Sequence, residues 1–106
     1  MTVLLVGANG QVGQELRQTL QPLLKQDSDL TTLEAVGRAE LDLTDLDAIA
    51  QKVRTLSPKL IINAAAYTAV DKAESEPELA HHINAEAPTA LAKAAADCGA
   101  ALVHIS

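Results

Sequence analysis

Three glycines at even spacing, Gly7, Gly10 and Gly13, directly follow the apolar run at residues 2–6. Only glycine lets backbone N–H groups approach a phosphate without a Cβ atom in the way. A helical pattern begins at Gly10, and a helix N-terminus offers unpaired N–H groups and a partial positive charge. A strand, a glycine turn and a helix N-terminus in this order predict a cradle for a phosphate group.

The spacing of these glycines is G-x-x-G-x-x-G, which differs from the G-x-G-x-x-G fingerprint of dinucleotide-binding proteins. A purely structural turn would also explain three glycines. Their position, between a strand that is apolar throughout and the start of a helix, favours dinucleotide binding. The last glycine would then let the helix pack close to the strand that it follows.

The second predicted strand is followed by Gly37 and Arg38. An acidic residue at this place would bond the hydroxyls of an adenosine ribose, whereas Arg38 could bind a 2′-phosphate and so favours NADP over NAD. The alternative is a solvated arginine. Asp42 is a candidate for a contact with the adenine edge, and the alternative is a helix-capping or surface aspartate.

Small residues also follow the third predicted strand, where Ala64, Ala65 and Ala66 precede Tyr67. Small side chains allow a bulky group to approach the end of a strand. We expect these alanines to pass beneath the pyrophosphate and the nicotinamide ribose of a dinucleotide. Tyr67, the single aromatic residue, is as well suited to packing as to a cofactor contact.

No catalytic set is complete, since no lysine stands four residues after Tyr67 and no Ser-His-Asp arrangement is evident. His81 and His82 would point about 100° apart on a helix, which disfavours a shared metal ion. We interpret both as surface residues and predict no metal site. His104 is interpreted as a core or rim residue of a strand, and Cys98 as a small buried hydrophobe.

Apolar periodicity predicts alternating strands and helices. The predicted strands cover residues 2–6, 31–36, 59–62 and 101–105. The first predicted helix covers residues 10–25, the second extends from a cap at Thr44 to Ser57, and the third extends from a cap at Ser75 to about residue 97. This alternation predicts an α/β fold, a Rossmann-type doubly wound parallel sheet. Right-handed crossovers lead us to expect the strand order 3-2-1-4, with Gly7 beside Ser106 at the ligand crevice. Pro88 should kink the last helix by leaving the carbonyl group of Asn84 without its partner.

The composition bounds the possible functions. With 106 residues, 48% of them hydrophobic, the chain is one domain or part of one. A net charge of −6 argues against a nucleic-acid partner. One cysteine suits a reducing cytosol, no apolar stretch is long enough for a membrane span, and no signal peptide is recognised, so a cytoplasmic location is expected.

Three segments carry a resemblance to a known family. The run N-A-A-A-Y-T-A-V-D-K-A-E from Asn63 to Glu74, the loop G-Q-V-G at residues 10–13 and the stretch I-N-A-E-A at residues 83–87 resemble the N-terminal part of dTDP-4-dehydrorhamnose reductases. These are extended short-chain dehydrogenases/reductases. The resemblance covers the whole chain but only about the first third of such an enzyme. It implies reduction of the 4-keto group of a dTDP-6-deoxyhexulose, with NADPH or NADH, to give dTDP-L-rhamnose for cell-surface polysaccharide.

The resemblance also implies roles for individual residues. The pyrophosphate would be held by Gly10, Gln11 and Val12, and the adenine flanked by Asp42 and Leu43. The nicotinamide side would be lined by residues 66–68, and Tyr67 stands where histidine is frequent in the family. The complete set of predicted cofactor contacts is Gly7, Asn9, Gly10, Gln11, Val12, Gly13, Arg38, Asp42, Leu43, Ala64, Ala65, Ala66, Tyr67, Thr68 and Ile105.

In this family the strand that ends at Ser106 continues Ser-Thr-Asp-Tyr-Val-Phe, and the catalytic threonine, a Tyr-x-x-x-Lys pair and the substrate domain follow. We therefore expect residues 1–106 to be the N-terminal part of an NAD(P)-binding domain that contains no catalytic residue and is inactive alone. The parent would be a homodimeric enzyme acting on a nucleotide sugar, with no membrane contact. The alternatives are another extended family member, such as a nucleotide-sugar epimerase or dehydratase, and a reductase-like regulatory subunit without catalysis. A later Tyr-x-x-x-Lys pair would favour the reductase, and its absence the regulatory subunit.

Overall fold

The computed structural model describes residues 2–22, 32–37, 39–65 and 77–105, without the side chains of residues 79, 80 and 82. The strands are β1 (Thr2–Val6), β2 (Thr32–Val36), β3 (Leu60–Asn63) and β4 (Ala101–His104). The helices are α1 (Gln11–Leu20), α2 (Leu46–Leu56), α3 (Pro77–His81) and α4 (Ala87–Cys98), with a π-helical turn (His82–Glu86) between the last two. The alternation confirms the predicted α/β, Rossmann-type class. None of the helices in these ranges is long and apolar enough to cross a membrane.

The four strands form one parallel sheet in the order β2-β1-β3-β4. Strand β1 is central, and its residues Val3 to Val6 are buried, as its continuous apolar sequence predicts for a strand covered on both faces. Strand β2 lies at the edge, as its more polar sequence indicates. The predicted order 3-2-1-4 is wrong, because β3 pairs with β1 on the side away from β2.

The reason for this order lies in the faces that the helices cover. Helix α1 packs through Leu16 and Leu20 on the face of the sheet formed by Val3, Leu5 and Ile62. The opposite face carries the larger core cluster, in which Leu4, Val6 and Ile61 of the sheet pack with residues of both α2 and α4. The helix residues are Ile49 and Val53 of α2 and Leu91 of α4. With right-handed crossovers, helices on opposite faces require the chain to move in opposite directions along the sheet. The crossover through α2 therefore returns past β1 instead of continuing beyond β2.

This order changes where a ligand crevice is expected. The direction of winding reverses at β1 and β3, so the topological switch point lies beyond the carboxyl ends of these two strands. The chain after β3 begins at Ala64, whose N–H donates to the carbonyl of Val6 at 2.9 Å. Strand β4 pairs with β3 and not with β1, so the expected neighbour of Gly7 is replaced by the turn after β3. Ser106 itself lies outside the described residues.

The helix boundaries differ from prediction in two places. Helix α1 ends at Leu20, and residues 23–25 of the predicted helix lie outside the described part. Helix α2 is capped by Asp45, whose side chain accepts a hydrogen bond from the N–H of Ala48 at 3.1 Å, one residue later than the predicted cap. The end of α2 agrees with prediction, since Ser57 adopts a left-handed conformation with φ of 45° directly after the helix.

Pro88 interrupts the last helix, as expected from its missing N–H group. The π-helical turn ends at Glu86, and α4 begins with Pro88 in its first turn. A π-helical turn is a common way to accommodate a break in the hydrogen-bond ladder. The helix predicted as one unit is therefore divided into α3, the π turn and α4, while its predicted cap at Ser75 lies outside the described residues.

Candidate functional site

The first glycine of the turn is required by the packing of the backbone around it. Gly7 has φ of +81°, and a Cβ atom there would lie 2.6 Å from the backbone nitrogen of Ala65. The N–H groups of Gly7 and Ala8 both donate to the carbonyl of Val36, at 3.0 and 3.1 Å. The glycine turn is thus tied to the end of β2 and lies directly against the turn that follows β3.

The third glycine is required by the packing of α1. Gly13 is the buried residue of this helix, and a Cβ atom there would collide with the carbonyl oxygen of Gly7. Helix α1 can approach the end of β1 only because this position has no side chain. The role predicted for the last glycine, close packing of helix and strand, is consistent with this geometry.

At the second glycine, no packing contact with the described residues requires the absence of a side chain. Gly10 is exposed and has φ of −74° and ψ of 170°, a conformation open to every residue type. A Cβ atom there would make only an ordinary contact of 3.5 Å with the carbonyl oxygen of Gly7. Gly10 is the N-cap of α1, no described side chain caps this end, and the first turn holds no acidic residue. The N–H groups at this helix end are therefore accessible to a group outside the described residues.

The end of β2 contains a contact that sequence reasoning missed. Gly37 is buried, and its N–H donates to the Oε2 atom of Glu40 at 2.8 Å. A Cβ atom on Gly37 would collide with the side-chain amide of Asn9, so Asn9 reaches from the glycine turn to the end of β2. Glu40 therefore places a carboxylate where an acidic residue is expected near an adenosine ribose. Its position three residues after Gly37 is the signal that could have identified it.

Asp42 and Leu43, the predicted adenine contacts, follow Glu40 along the chain. The Oδ1 atom of Asp42 accepts hydrogen bonds from the N–H and the hydroxyl of Thr44, at 2.9 and 2.7 Å. Asp42 is exposed, so its carboxylate orders the turn before α2 while remaining open to solvent. The side chain of Leu43 is 9% exposed and belongs to the larger core cluster, so it holds this segment against the sheet.

The end of β3 carries a buried amide. Asn63 is 1% exposed, and its Oδ1 atom accepts a hydrogen bond from the N–H of Ala65 at 3.0 Å. Its Nδ2 atom lies 3.1 Å from Nδ1 of His104 on β4. These contacts order the turn at Ala64, which is seated against Gly7. A polar residue at the end of the apolar strand Leu-Ile-Ile-Asn is the signal in the sequence.

The structure brings together many of the predicted cofactor contacts and places one of them, Ile105, apart from the others. The glycine turn, Asn9 and the two described alanines meet at the carboxyl ends of β1, β2 and β3. Ile105 lies one strand further away, where its N–H donates to the carbonyl of Asn63 at 3.0 Å, and it packs on the face that α1 covers. Four predicted contacts lie outside the described residues: Arg38, Ala66, Tyr67 and Thr68.

The residues set aside as non-functional are placed as follows. His81 is exposed and lies 3.6 Å from a carboxylate oxygen of Glu86. His104 is exposed at the rim of the sheet, and the thiol of Cys98 is half-buried near the carbonyl of Pro58. Within the part of the chain that the structure describes, no cluster of three potential metal ligands occurs.

The arrangement fits the pyrophosphate of a dinucleotide. The first turn of α1 presents the N–H groups of Gln11 and Val12, which by helix geometry have no partner within the helix. These donors and the helix dipole favour a negative group beside Gly10, where no side chain blocks its approach. Val12 is 43% exposed and adds apolar surface at the same helix end.

Comparison with known proteins finds relatives that match this chain along its whole length. The family model described as RmlD substrate binding domain matches residues 1–106. A dTDP-4-dehydrorhamnose reductase of Salmonella typhimurium is 48% identical over 107 residues, which cover 100% of this chain and 34% of that protein. One of Escherichia coli is 46% identical with the same coverage. The chain therefore spans about a third of the length of the curated relatives that it matches.

A solved structure supports the same relationship. The dTDP-4-dehydrorhamnose reductase of Bacillus anthracis, determined in complex with NADP, superimposes with a TM-score of 0.86 at 38% sequence identity. The superposition covers 99% of this chain and 36% of that one. With a family match along its whole length and this fold, the chain belongs to the dTDP-4-dehydrorhamnose reductase family.

Proposed function

We propose that this chain is the cofactor-binding part of an NAD(P)H-dependent reductase that converts dTDP-4-dehydro-L-rhamnose to dTDP-L-rhamnose. The family match supports the reaction, and the observation that carries cofactor binding is Gly10. Its neighbours in the turn, Gly7 and Gly13, are explained by internal packing, whereas Gly10 is exposed, has an ordinary backbone conformation and leaves the helix end uncapped. A pyrophosphate seated on the first turn of α1 explains why this position has no side chain.

The residues around Gly10 have separate roles in this proposal. The N–H groups of Gln11 and Val12 bind the pyrophosphate, while Asn9 links the glycine turn to the adenosine end of the site. Asp42 flanks the adenine, and the turn at Ala64 and Ala65 supports the nicotinamide half. When bound, the cofactor supplies the hydride for reduction of the 4-keto group. The protein residues described above bind and orient it.

The test is calorimetry of this chain with NADPH, NADH and a dTDP-sugar. We expect either cofactor to bind and Gly10→Val to abolish binding, because the valine side chain occupies the approach to the helix end. The circular dichroism spectrum of the variant should match the wild type, since a Cβ atom at position 10 makes only an ordinary contact with its neighbours. Unchanged cofactor affinity in a folded Gly10→Val chain would show that the turn is only structural.

The dTDP-sugar titration tests whether cofactor binding and substrate binding belong to different parts of the parent enzyme. The family description speaks of substrate binding, whereas the role proposed for the described residues is to bind a nucleotide cofactor. We expect the sugar nucleotide to bind far more weakly than the cofactor and the chain to show no reductase activity alone. Tight binding of the sugar by this chain would contradict that division.

A preference for NADPH is the finer part of the proposal, and it rests on Arg38 in the sequence. It requires that the attraction of Arg38 for a 2′-phosphate outweigh the repulsion by the carboxylate of Glu40, which lies beside Gly37. A charge-assisted hydrogen bond to the 2′-phosphate contributes roughly 1.5–3 kcal/mol. We therefore expect Arg38→Ala to reduce the ratio of NADPH to NADH affinity by about 10- to 150-fold. Titration of both cofactors measures this ratio, and an unchanged value would exclude a contact between Arg38 and the 2′-phosphate.

A further inference from the structure

Asn63 is the one buried polar side chain among the residues that the structure describes. Its amide connects two strands and a turn: Oδ1 faces the N–H of Ala65 at 3.0 Å, and Nδ2 faces Nδ1 of His104 at 3.1 Å. Asn63 and His104 are also direct neighbours in the register of β3 and β4. The end of β4 is thereby linked to the turn that follows β3.

The donors in this arrangement determine the tautomer of the histidine. A backbone N–H group can only donate, so the atom of Asn63 that faces Ala65 is the amide oxygen. The other end of the amide is then NH₂, which also can only donate. Nδ1 of His104 must therefore accept, which places the proton of the neutral ring on Nε2.

A continuous series of contacts joins this histidine to the glycine turn. The turn ordered by Asn63 contains Ala64 and Ala65, whose backbone is so close to Gly7 that no Cβ atom would fit there. The carbonyl of Gly7 in turn lies against Gly13 in the first turn of α1. A shift of Ala65 would therefore be transmitted to the helix end at which the pyrophosphate is proposed to bind.

We propose that His104 and Asn63 are positioning residues for the cofactor site. Neutral His104, protonated on Nε2, orients the amide of Asn63, and the amide holds the turn at Ala64 and Ala65 against Gly7. The inference rests on the proposed function for its binding consequence, while its hydrogen-bond arrangement is independent of any ligand. His104 thus acts through Asn63, from the strand beyond the cofactor crevice.

The first test measures the tautomer directly, by ¹⁵N NMR of histidine-labelled chain at a mildly alkaline pH. We expect the wild type to show His104 protonated on Nε2 only. In Asn63→Asp, the carboxylate can accept from both Ala65 and the ring, so Nδ1 should become protonated. Protonated Nδ1 in the wild type, or an unchanged ring in a folded Asn63→Asp chain, would overturn the arrangement.

The second test measures cofactor binding and needs no change at the buried position. In His104→Asn, the side-chain oxygen stands near the place of Nδ1 and can accept from Asn63, whereas His104→Leu offers no acceptor. We expect His104→Leu to weaken NADPH binding by about two- to tenfold and to speed hydrogen exchange at the amide of Ala65. His104→Asn should restore both values toward the wild type.

Matched substitutions at His81, which is exposed on α3, provide the control and should leave both values unchanged. If the wild type binds NADPH and the two His104 variants bind equally well, the positioning role is wrong and the proposed function stands. If the wild type binds neither NADPH nor NADH, the proposed function is wrong. In that case the tautomer of His104 and the hydrogen-exchange rate at the amide of Ala65 still test the hydrogen-bond arrangement.

Discussion

Helices α1 and α2 have N-termini of opposite design. Helix α2 is capped by the side chain of Asp45, and its first turn carries Asp47, so its positive end is satisfied within the chain. Helix α1 has Gly10 as its N-cap, and among the described residues it has no side-chain cap and no acidic residue in its first turn. Both helices pack on the same sheet, and both have a comparable length.

The difference between the two N-termini is consistent with the different roles that are proposed for them. An N-cap side chain and a carboxylate in the first turn stabilise a helix by occupying its N–H groups and complementing its dipole. The same features at α1 would place negative charge where the pyrophosphate is proposed to bind. The uncapped end of α1 lacks this local stabilisation and leaves its N–H groups open to the anion that it is proposed to bind, whereas the end of α2 is capped within the chain.

The largest effect is expected from Gly13→Ala, which disturbs the packing on which the open end of α1 depends. The added Cβ atom would collide with the carbonyl of Gly7, and both partners are backbone. We expect a loss of about 3 kcal/mol in the free energy of unfolding, measured by urea denaturation, at the upper end of the cost of overpacking. Gly10→Ala is the matched control, and its stability should stay within about 1 kcal/mol of the wild type. A Gly13→Ala chain as stable as that control would show that α1 does not need the close approach.

The second effect is expected from Gly10→Asp, which gives α1 the kind of cap that α2 has. The carboxylate can accept from the first turn of the helix, and the backbone at position 10 already suits a non-glycine residue. We expect stability to rise by about 1 kcal/mol, while cofactor affinity falls about 100-fold through repulsion of the pyrophosphate. Urea denaturation and calorimetry measure the two values on the same sample. A gain in stability without a loss of affinity would place the anion elsewhere.

The N-terminus of α1 also shows which features of the fold the sequence predicts and which it does not. The strand, the glycine turn and the start of α1 follow from local patterns, because an apolar run and a change of period are visible in neighbouring residues. The packing role of Gly13 is predicted from its place after the strand. The difference between Gly7, where a Cβ atom would collide with the backbone of Ala65, and Gly10, where it would not, is visible only in the structure.

The order of the strands is likewise not visible in local sequence patterns. The apolar stripe of α2, with Ile49 and Val53, predicts that one side of the helix is buried, but it does not say which face of the sheet buries it. That choice decides whether β3 lies beside β2 or beside β1. The link between Asn63 and His104 joins residues 41 positions apart, and it depends on this order.

The smallest effect is expected from Asp45→Ala, which gives α2 an uncapped end like that of α1. The substitution removes the hydrogen bond to the N–H of Ala48 and should cost about 1 kcal/mol in the free energy of unfolding. Cofactor affinity should remain within the error of calorimetry, because the end of α2 is proposed to have no part in pyrophosphate binding. If Asp45→Ala weakened NADPH binding at a temperature where the chain is fully folded, the two helix ends would be coupled. The division between an end built for folding and an end built for an anion would then be wrong.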